Sequence, residues 1–285
     1  MNKSKTYLPI VALLLLLVAG FTALSANRPT KTKWISLFNG KDIKDWSIKI
    51  RTHDLDENFA NTFRVEDGLI KVRYDGYTQF EQQYGHIFYK KPFSYYLLQV
   101  EYRFVGEQCP GGEGWALRNS GAMLHSQDPK TMLKDQNFPI SIEAQFLGGN
   151  GKDPRTTCNL CTPGTNVVMA DTLFTPHCIN SSSQTYHGDQ WVTANFIVLG
   201  DEEVHHLVGV DTVFSYFKPQ IGGGNVSPVD PAVKIDGMLL KEGYISLQSE
   251  SHPVDFRRVA VVDLSGMKGD RKKMSEAVAV ALSEK

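Results

Sequence analysis

The sequence predicts an all-β protein built as a sandwich of two sheets. Three observations carry that reading. The 285 residues are 41% hydrophobic and hold 24 Gly, 13 Pro, 11 Tyr and 15 Phe, a composition suited to short strands joined by tight turns. Apolar residues recur with period two in one segment after another, each bounded by turn formers. Only one stretch, near the C-terminus, has helical periodicity. All-β sandwiches often form one domain of roughly 200–250 residues, so a single large core suffices.

The elements follow in order. Residues 34–38 are short and apolar, and Asn39-Gly40 supplies a turn. Residues 63–65 and 69–72 flank Glu66-Asp67-Gly68, whose Asp-Gly is a strong hairpin signal. Residues 95–104 form a long aromatic and β-branched strand, and 120–125 and 140–147 are two more. Residues 191–199 and 204–210 form a hairpin through Gly200-Asp201, and 244–248 and 256–262 close the body. Residues 148–189, rich in Cys, Pro and Asn, read as a long loop, a kind of segment that is often functional. The helix spans 272–282, with Met274, Val278, Ala279 and Leu282 as its apolar stripe.

The two ends and the charge balance set the cellular context. Lys3 and Lys5 precede an apolar run from Leu8 to Phe21, followed by Ser25 and Ala26. That is the order of a secretory signal; a membrane anchor is the alternative, but the run is shorter than the ~20 residues a span needs. The expected organisation is a leader at 1–26, a linker at 27–33, the sandwich at 34–264 and a helical tail at 265–285. The mature chain is expected in the periplasm or outside the cell, with no membrane span after cleavage. A net charge of -1 with scattered basic residues gives no field for nucleic acid.

Four cysteines, Cys109, Cys158, Cys161 and Cys178, suggest disulfides in an exported protein. The expected bridges are Cys161–Cys178 and Cys109–Cys158, the first closing a loop worth roughly 3 kcal/mol in the chain-entropy model. Cys158–Cys161 is the main rival, and Cys-x-x-Cys also admits a redox pair or half a zinc site.

Alternation assigns side chains to faces. In 140–147, Ile142, Ala144 and Phe146 share the core face, leaving Glu143 and Gln145 on the other. In 120–125, Ala122 and Leu124 look inward, leaving Gly121, Met123 and His125 outward. If the strands are neighbours and their sheet curves, His125 and Glu143 share a groove as a proton-transfer pair. The plainer readings are a structural histidine and a solvated strand glutamate. Arg118 and Asn119 at the strand mouth have donors for sugar hydroxyls or an oxyanion; turn chemistry is their alternative. Trp115, Tyr186 and Trp191 have faces to stack on a sugar ring, although aromatics in β proteins more often fill cores. Tyr186-His187-Gly188-Asp189 stands at a strand entrance, and the alternating run Gln248, Glu250, His252 reaches a groove or forms a loop. His205 and His206 are adjacent, so their rings point to opposite faces and do not share a metal.

Several segments together resemble one known family. Leu37-Phe38-Asn39-Gly40-Lys41-Asp42-Ile43 with Trp46 looks like the opening signature of 3-keto-disaccharide hydrolases. Asn119-Ser120-Gly121 resembles the central motif, and Gly188-Asp189-Gln190-Trp191 followed by Gly200 the late hairpin. Gly243-Tyr244-Ile245-Ser246-Leu247-Gln248, then Pro253-Val254-Asp255-Phe256-Arg257-Arg258-Val259, is similar to the closing signature. The landmarks run in order from Trp34 to Leu264, while the Cys-rich segment 155–183 looks longer than in the simplest members. The resemblance implies a concanavalin-A-like jelly-roll sandwich with a concave groove. It also implies substrates whose sugar bears a ketone at C3.

Such a ketone acidifies the C2 proton, so a base can form an enolate that expels the C1 substituent. The sequence expectation gives His125 or Glu143 the base role. The other acts as acid, or as ligand to a divalent metal that polarises the ketone. Arg118 holds the oxyanion, and Asn119, Gln145, Trp115, Tyr186, His187 and Gln248 bind the sugar. A non-catalytic carbohydrate-binding module needs the same groove without the acid–base pair. An ordinary glycoside hydrolase needs two close carboxylates, and no closely spaced Glu/Asp pair lies on one strand.

Overall fold

The computed structural model describes residues 33–284. The expected leader, and all of the linker but its last residue, lie outside the described residues. The strands are, in chain order, β1 (Ile35–Ser36), β2 (Trp46–Ile50), β3 (Phe63–Glu66), β4 (Leu69–Val72), β5 (Gly85–Tyr89), β6 (Tyr95–Phe104), β7 (Asn119–Ser126), β8 (Ile142–Leu147) and β9 (Asn159–Cys161). Then follow β10 (Thr165–Met169), β11 (Thr172–Phe174), β12 (Cys178–Ile179), β13 (Val192–Leu199), β14 (Glu203–Val208), β15 (Asp211–Ile221), β16 (Tyr244–Ser249), β17 (Val254–Asp263) and one helix, α1 (Arg271–Ser283).

The strands form two antiparallel sheets. The larger runs β11-β10-β15-β14-β13-β6-β17-β4-β3, with β1 on β17, and the smaller runs β12-β9-β8-β7-β16-β5-β2. The chain crosses repeatedly from one sheet to the other, which is the winding of a jelly-roll sandwich. Alternation puts Ile48, Ile87, Leu247, Ala122, Ala144 and Leu160 of the smaller sheet against Tyr96, Leu98, Val100, Phe196 and Val261 of the larger. At the first hairpin Asp67 and Gly68 both have positive φ (55° and 74°). Such a turn follows the right-handed twist of β3 and β4.

The helix covers the outer side of the larger sheet. Met274, Val278 and Ala281 pack on Tyr95, Leu97, Leu199 and Val262, and the Asp270 carboxylate accepts from the Lys273 N–H as the N-cap. Leu282 packs half-buried at the edge of this stripe and Ala281 joins it, while Ala279 is exposed. No helix of the described residues is long and apolar enough to cross a membrane. The outer face of the smaller sheet is left for the site.

Other expectations need correction. Residues 148–189 hold four short strands, β9 to β12, which have too few residues to show a period and depend on partners distant in sequence. The Cys161–Cys178 disulfide is present, joining β9 to its neighbour β12. Cys109 and Cys158 are not bridged; both are free and buried. The Cys158 Sγ lies 3.8 Å from the Leu207 carbonyl. Cys109 is held elsewhere, with its N–H donating to Ser251 O.

Asp255 ties three neighbouring strands of the larger sheet. It is buried, and its carboxylate accepts from Arg73 at 2.5 Å and Arg103 at 3.0 Å. Removing one partner of a buried ion pair strands the others without compensation. Asp255→Ala is expected to lose about 3 kcal/mol of unfolding free energy, read from urea denaturation.

Candidate functional site

The site is built on the outer face of the smaller sheet, where β7, β8, β9 and β12 lie side by side. In register, Met123 faces Glu143, Glu143 faces Cys161, and Cys161 faces Cys178. One strand step away Gly121 faces Gln145, which faces Asn159. A groove of about 680 Å³ opens over these positions, walled by Trp115, Asn119, Phe138, Arg155, the Cys161–Cys178 pair and Glu250.

The floor carries two carboxyl groups, Glu143 at 6% and Glu250 at 3% exposure. No hydrogen bond from a described residue reaches either side chain, and Glu250 Oε2 is buried without a partner. Desolvation pushes Glu143 up to about 8. Glu250 is raised well above the ordinary carboxylate range, first by burial and then by repulsion from Glu143. Two carboxyls near each other in a water-poor groove do not readily ionise together. Their repulsion makes the pair lose its two protons in separate steps, and after the first it holds one carboxylate and one protonated carboxyl.

Gly121 makes room for the Glu143 side chain. A Cβ on Gly121 would lie 3.0 Å from both Cγ and Oε1 of Glu143 and 3.3 Å from the Ala144 carbonyl. Gln145 is held by a short network. Its Oε1 accepts from Asn159 Nδ2 at 3.0 Å, and Asn159 Oδ1 accepts from Thr156 Oγ1 and the Ser181 N–H. With its oxygen occupied, the Gln145 amide nitrogen is free to donate to a ligand.

His125 does not join Glu143. Between Met123 and Ser126, β7 carries one residue more than β16 opposite, and His125 has φ 48°. That bulge breaks the alternation after Leu124. The His125 ring turns to the interior, beside Tyr96 with centroids 6.0 Å apart, and Nε2 sits 3.0 Å from Gly200 O. Burial lowers it to about 4. Neither a base role nor a shared metal with Glu143 is possible from there. Gly243 permits the bulge, since a Cβ on it would come 2.4 Å from the His125 carbonyl carbon.

Other expected residues are also displaced. Arg118 donates to Gly188 O at 2.8 Å and Asp189 at 3.2 Å, so its guanidinium clamps a loop rather than an oxyanion. Tyr186 packs against the core. The exposed His187 has its ring against Gly149. Gln248 does stand on this face of the smaller sheet, opposite His86 and one step past the Leu247–Ala122 pair, but it is fully buried with neither end of its amide hydrogen-bonded. Trp191 lies over the larger sheet, with Arg103 and Arg257 4.6 and 4.5 Å from its ring centroid. His205 and His206 do diverge: His206 is buried against Cys158 O and Tyr216, while His205 stays part-exposed on Ser215. The groove unites Glu143, Gln145, Asn119 and Trp115. It adds Glu250, whose place in an alternating polar run was its only sequence signal. It also adds Arg155, which no pattern marked. Among the described residues one group of His, Cys and acidic side chains is compact enough for a metal, Cys161, His177 and Cys178. The disulfide already consumes both of its sulfurs.

The family match places this sandwich in a carbohydrate-acting class. The chain is a member of the 3-keto-α-glucoside-1,2-lyase-like domain family, whose sequence profile matches residues 33–262. Similar solved structures include two provisionally assigned glycosyl hydrolases of Parabacteroides distasonis. One has 14% identity and TM-score 0.49, covering 81% of this chain and all of that one. The other has 19% identity and TM-score 0.46, covering 81% and 94%. A Bacillus subtilis protein with a galectin-like fold has 12% identity and TM-score 0.49, covering 81% and 94%. No curated protein matches the chain.

Two outcomes follow from the floor. Gly121→Ala should displace Glu143 and lower kcat by roughly 100-fold with little change in melting temperature. Glu143 ionises near 4.5 when unfolded but only near 8 when folded. The stability linked to it is therefore complete below 4.5 and lost as pH rises through 8. Glu143→Gln should melt above the parent at pH 8, with the gap closing toward pH 4.5 in a calorimetric series.

Proposed function

We propose that the protein is an exported enzyme that cleaves 3-keto glycosides by elimination across C1 and C2. The buried pair Glu143 and Glu250 carries the reading. Glu143, once ionised, takes the proton from C2. The electron pair moves through an enolate whose C3 oxygen is met by the Gln145 amide. The C1–O bond then breaks, and the leaving oxygen takes the proton of Glu250. The products are an unsaturated 3-keto sugar and the free alcohol; water adding across the new double bond gives net hydrolysis. A desolvated carboxylate is a stronger base toward a carbon acid than a solvated one. Trp115, 53% exposed at the groove edge, offers a face for a sugar ring.

The same pair supports a second reading, an ordinary two-carboxylate glycosidase. Both routes need one of the two carboxyls ionised, so burial does not separate them. The matched family is lyase-like, which favours elimination.

Product analysis decides between them. Incubation with a 3-keto disaccharide and its unoxidised parent should release product only from the ketone, with the unsaturated sugar as intermediate. Turnover of the parent alone would establish the ordinary glycosidase, and no turnover of either would leave a binding module. Glu143→Gln and Glu250→Gln should each lower kcat by roughly 10²–10⁴-fold. In the parent, kcat/KM should climb with pH as the carboxyl pair loses its first proton and fall as it loses the second, both above the ordinary carboxylate range. The secretory leader is tested separately: amino-terminal sequencing of the exported protein should begin near Asn27.

A further inference from the structure

Arginines in this fold are almost all spoken for. Among the described residues Arg51, Arg64, Arg73, Arg103, Arg118, Arg257, Arg258 and Arg271 each donate to a carboxylate, an amide or a carbonyl. Arg155 is the exception. Its guanidinium makes no hydrogen bond or ion pair, yet it is half-buried and lines the groove. A partly desolvated cation without a counter-charge is costly, and a folded protein tolerates one most readily where a ligand supplies the charge.

The neighbouring groups do not supply it. Asp153 attracts Arg155 but lies beyond ion-pair distance, in a turn where Asn150 Nδ2 reaches its carboxylate at 3.3 Å. Asp189 is already engaged by Arg118, and Arg118 adds like charge beside Arg155. His252 is buried nearby with both ring nitrogens unpartnered. Glu143 and Glu250 are held toward their neutral forms and place no firm negative charge in the groove. The backbone under Arg155 is fixed, because its N–H donates to Thr185 Oγ1 at 2.8 Å. The cation is thus presented from an anchored segment.

We propose that Arg155 recognises an anionic oxyacid group on the substrate, so that the preferred glycoside is an acidic sugar bearing a carboxylate or a sulfate ester. This rests on the proposed function only in placing a sugar in the groove. A planar guanidinium pairs two-pronged with either group, and the charge lies along the groove from the carboxyl pair.

The test is binding of unoxidised ligands to the intact protein by calorimetry, which needs no turnover. The probes are a glucuronic-acid-containing disaccharide, a sulfated disaccharide and the neutral parent. At least one acidic probe should bind about tenfold tighter than the parent, as one charge-assisted contact allows, with the preference shrinking as sodium chloride rises. Whichever acidic probe gains identifies the group. Arg155→Met should abolish the preference at unchanged melting temperature, while Arg155→Lys should keep part of it. Equal or weaker binding of both acidic probes, or a preference that survives Arg155→Met, overturns the proposal. Turnover of neutral 3-keto glucosides without any acidic preference would sink this inference and leave the elimination mechanism standing. Acidic preference without 3-keto turnover would do the reverse.

Discussion

Desolvation of two carboxyl groups on one face of a sheet is the constraint around which this molecule is organised. Glu143 and Glu250 come from β8 and from the chain just after β16, which β7 separates in the smaller sheet. Neither has a cation or donor to hold its charge. Each is therefore driven toward the neutral acid, and their mutual repulsion separates the order in which they lose protons. A polar floor of this kind weakens the fold at alkaline pH. It persists because the packed strands beneath fix the backbone that carries it.

The surrounding architecture keeps that floor in shape. Gly121 leaves the space into which Glu143 leans. Asn159 turns Gln145 so that its amide hydrogens remain available, and Asn159 is itself held by Thr156 and Ser181 from the Cys-rich segment. The Cys161–Cys178 bridge fastens the short edge strand β12 and supplies part of the groove wall. The long segment that read as a loop is thus a scaffold for the site. On the other side of the molecule the helix covers the larger sheet, which leaves the smaller sheet's outer face for ligand.

The bulge in β7 shows why an alternation argument fails where it does. Period two holds from Asn119 to Leu124, and Gly121 and Met123 face outward as the pattern requires. One extra residue then reverses the face of His125 and buries it beside Tyr96. The signal for that reversal lies in a distant residue, Gly243, whose lack of a Cβ lets the bulged backbone approach. Arg118 misled for a different reason: its partner Asp189 comes from a loop about seventy residues away, and an ion pair of that kind leaves no local trace.

Local pattern determined the sandwich, the Asp67-Gly68 hairpin, the strands that bear Glu143 and Gln145, and the family signatures. All of these depend on steric and burial preferences that act over a few neighbouring residues. Only the tertiary structure decided which acid partners Glu143, that Cys109 and Cys158 stay unbridged, and that Arg155 is left without a counter-charge. Such facts depend on which strands become neighbours and on how much water is excluded between them. Both are set by long-range pairing rather than by the spacing of residues along the chain.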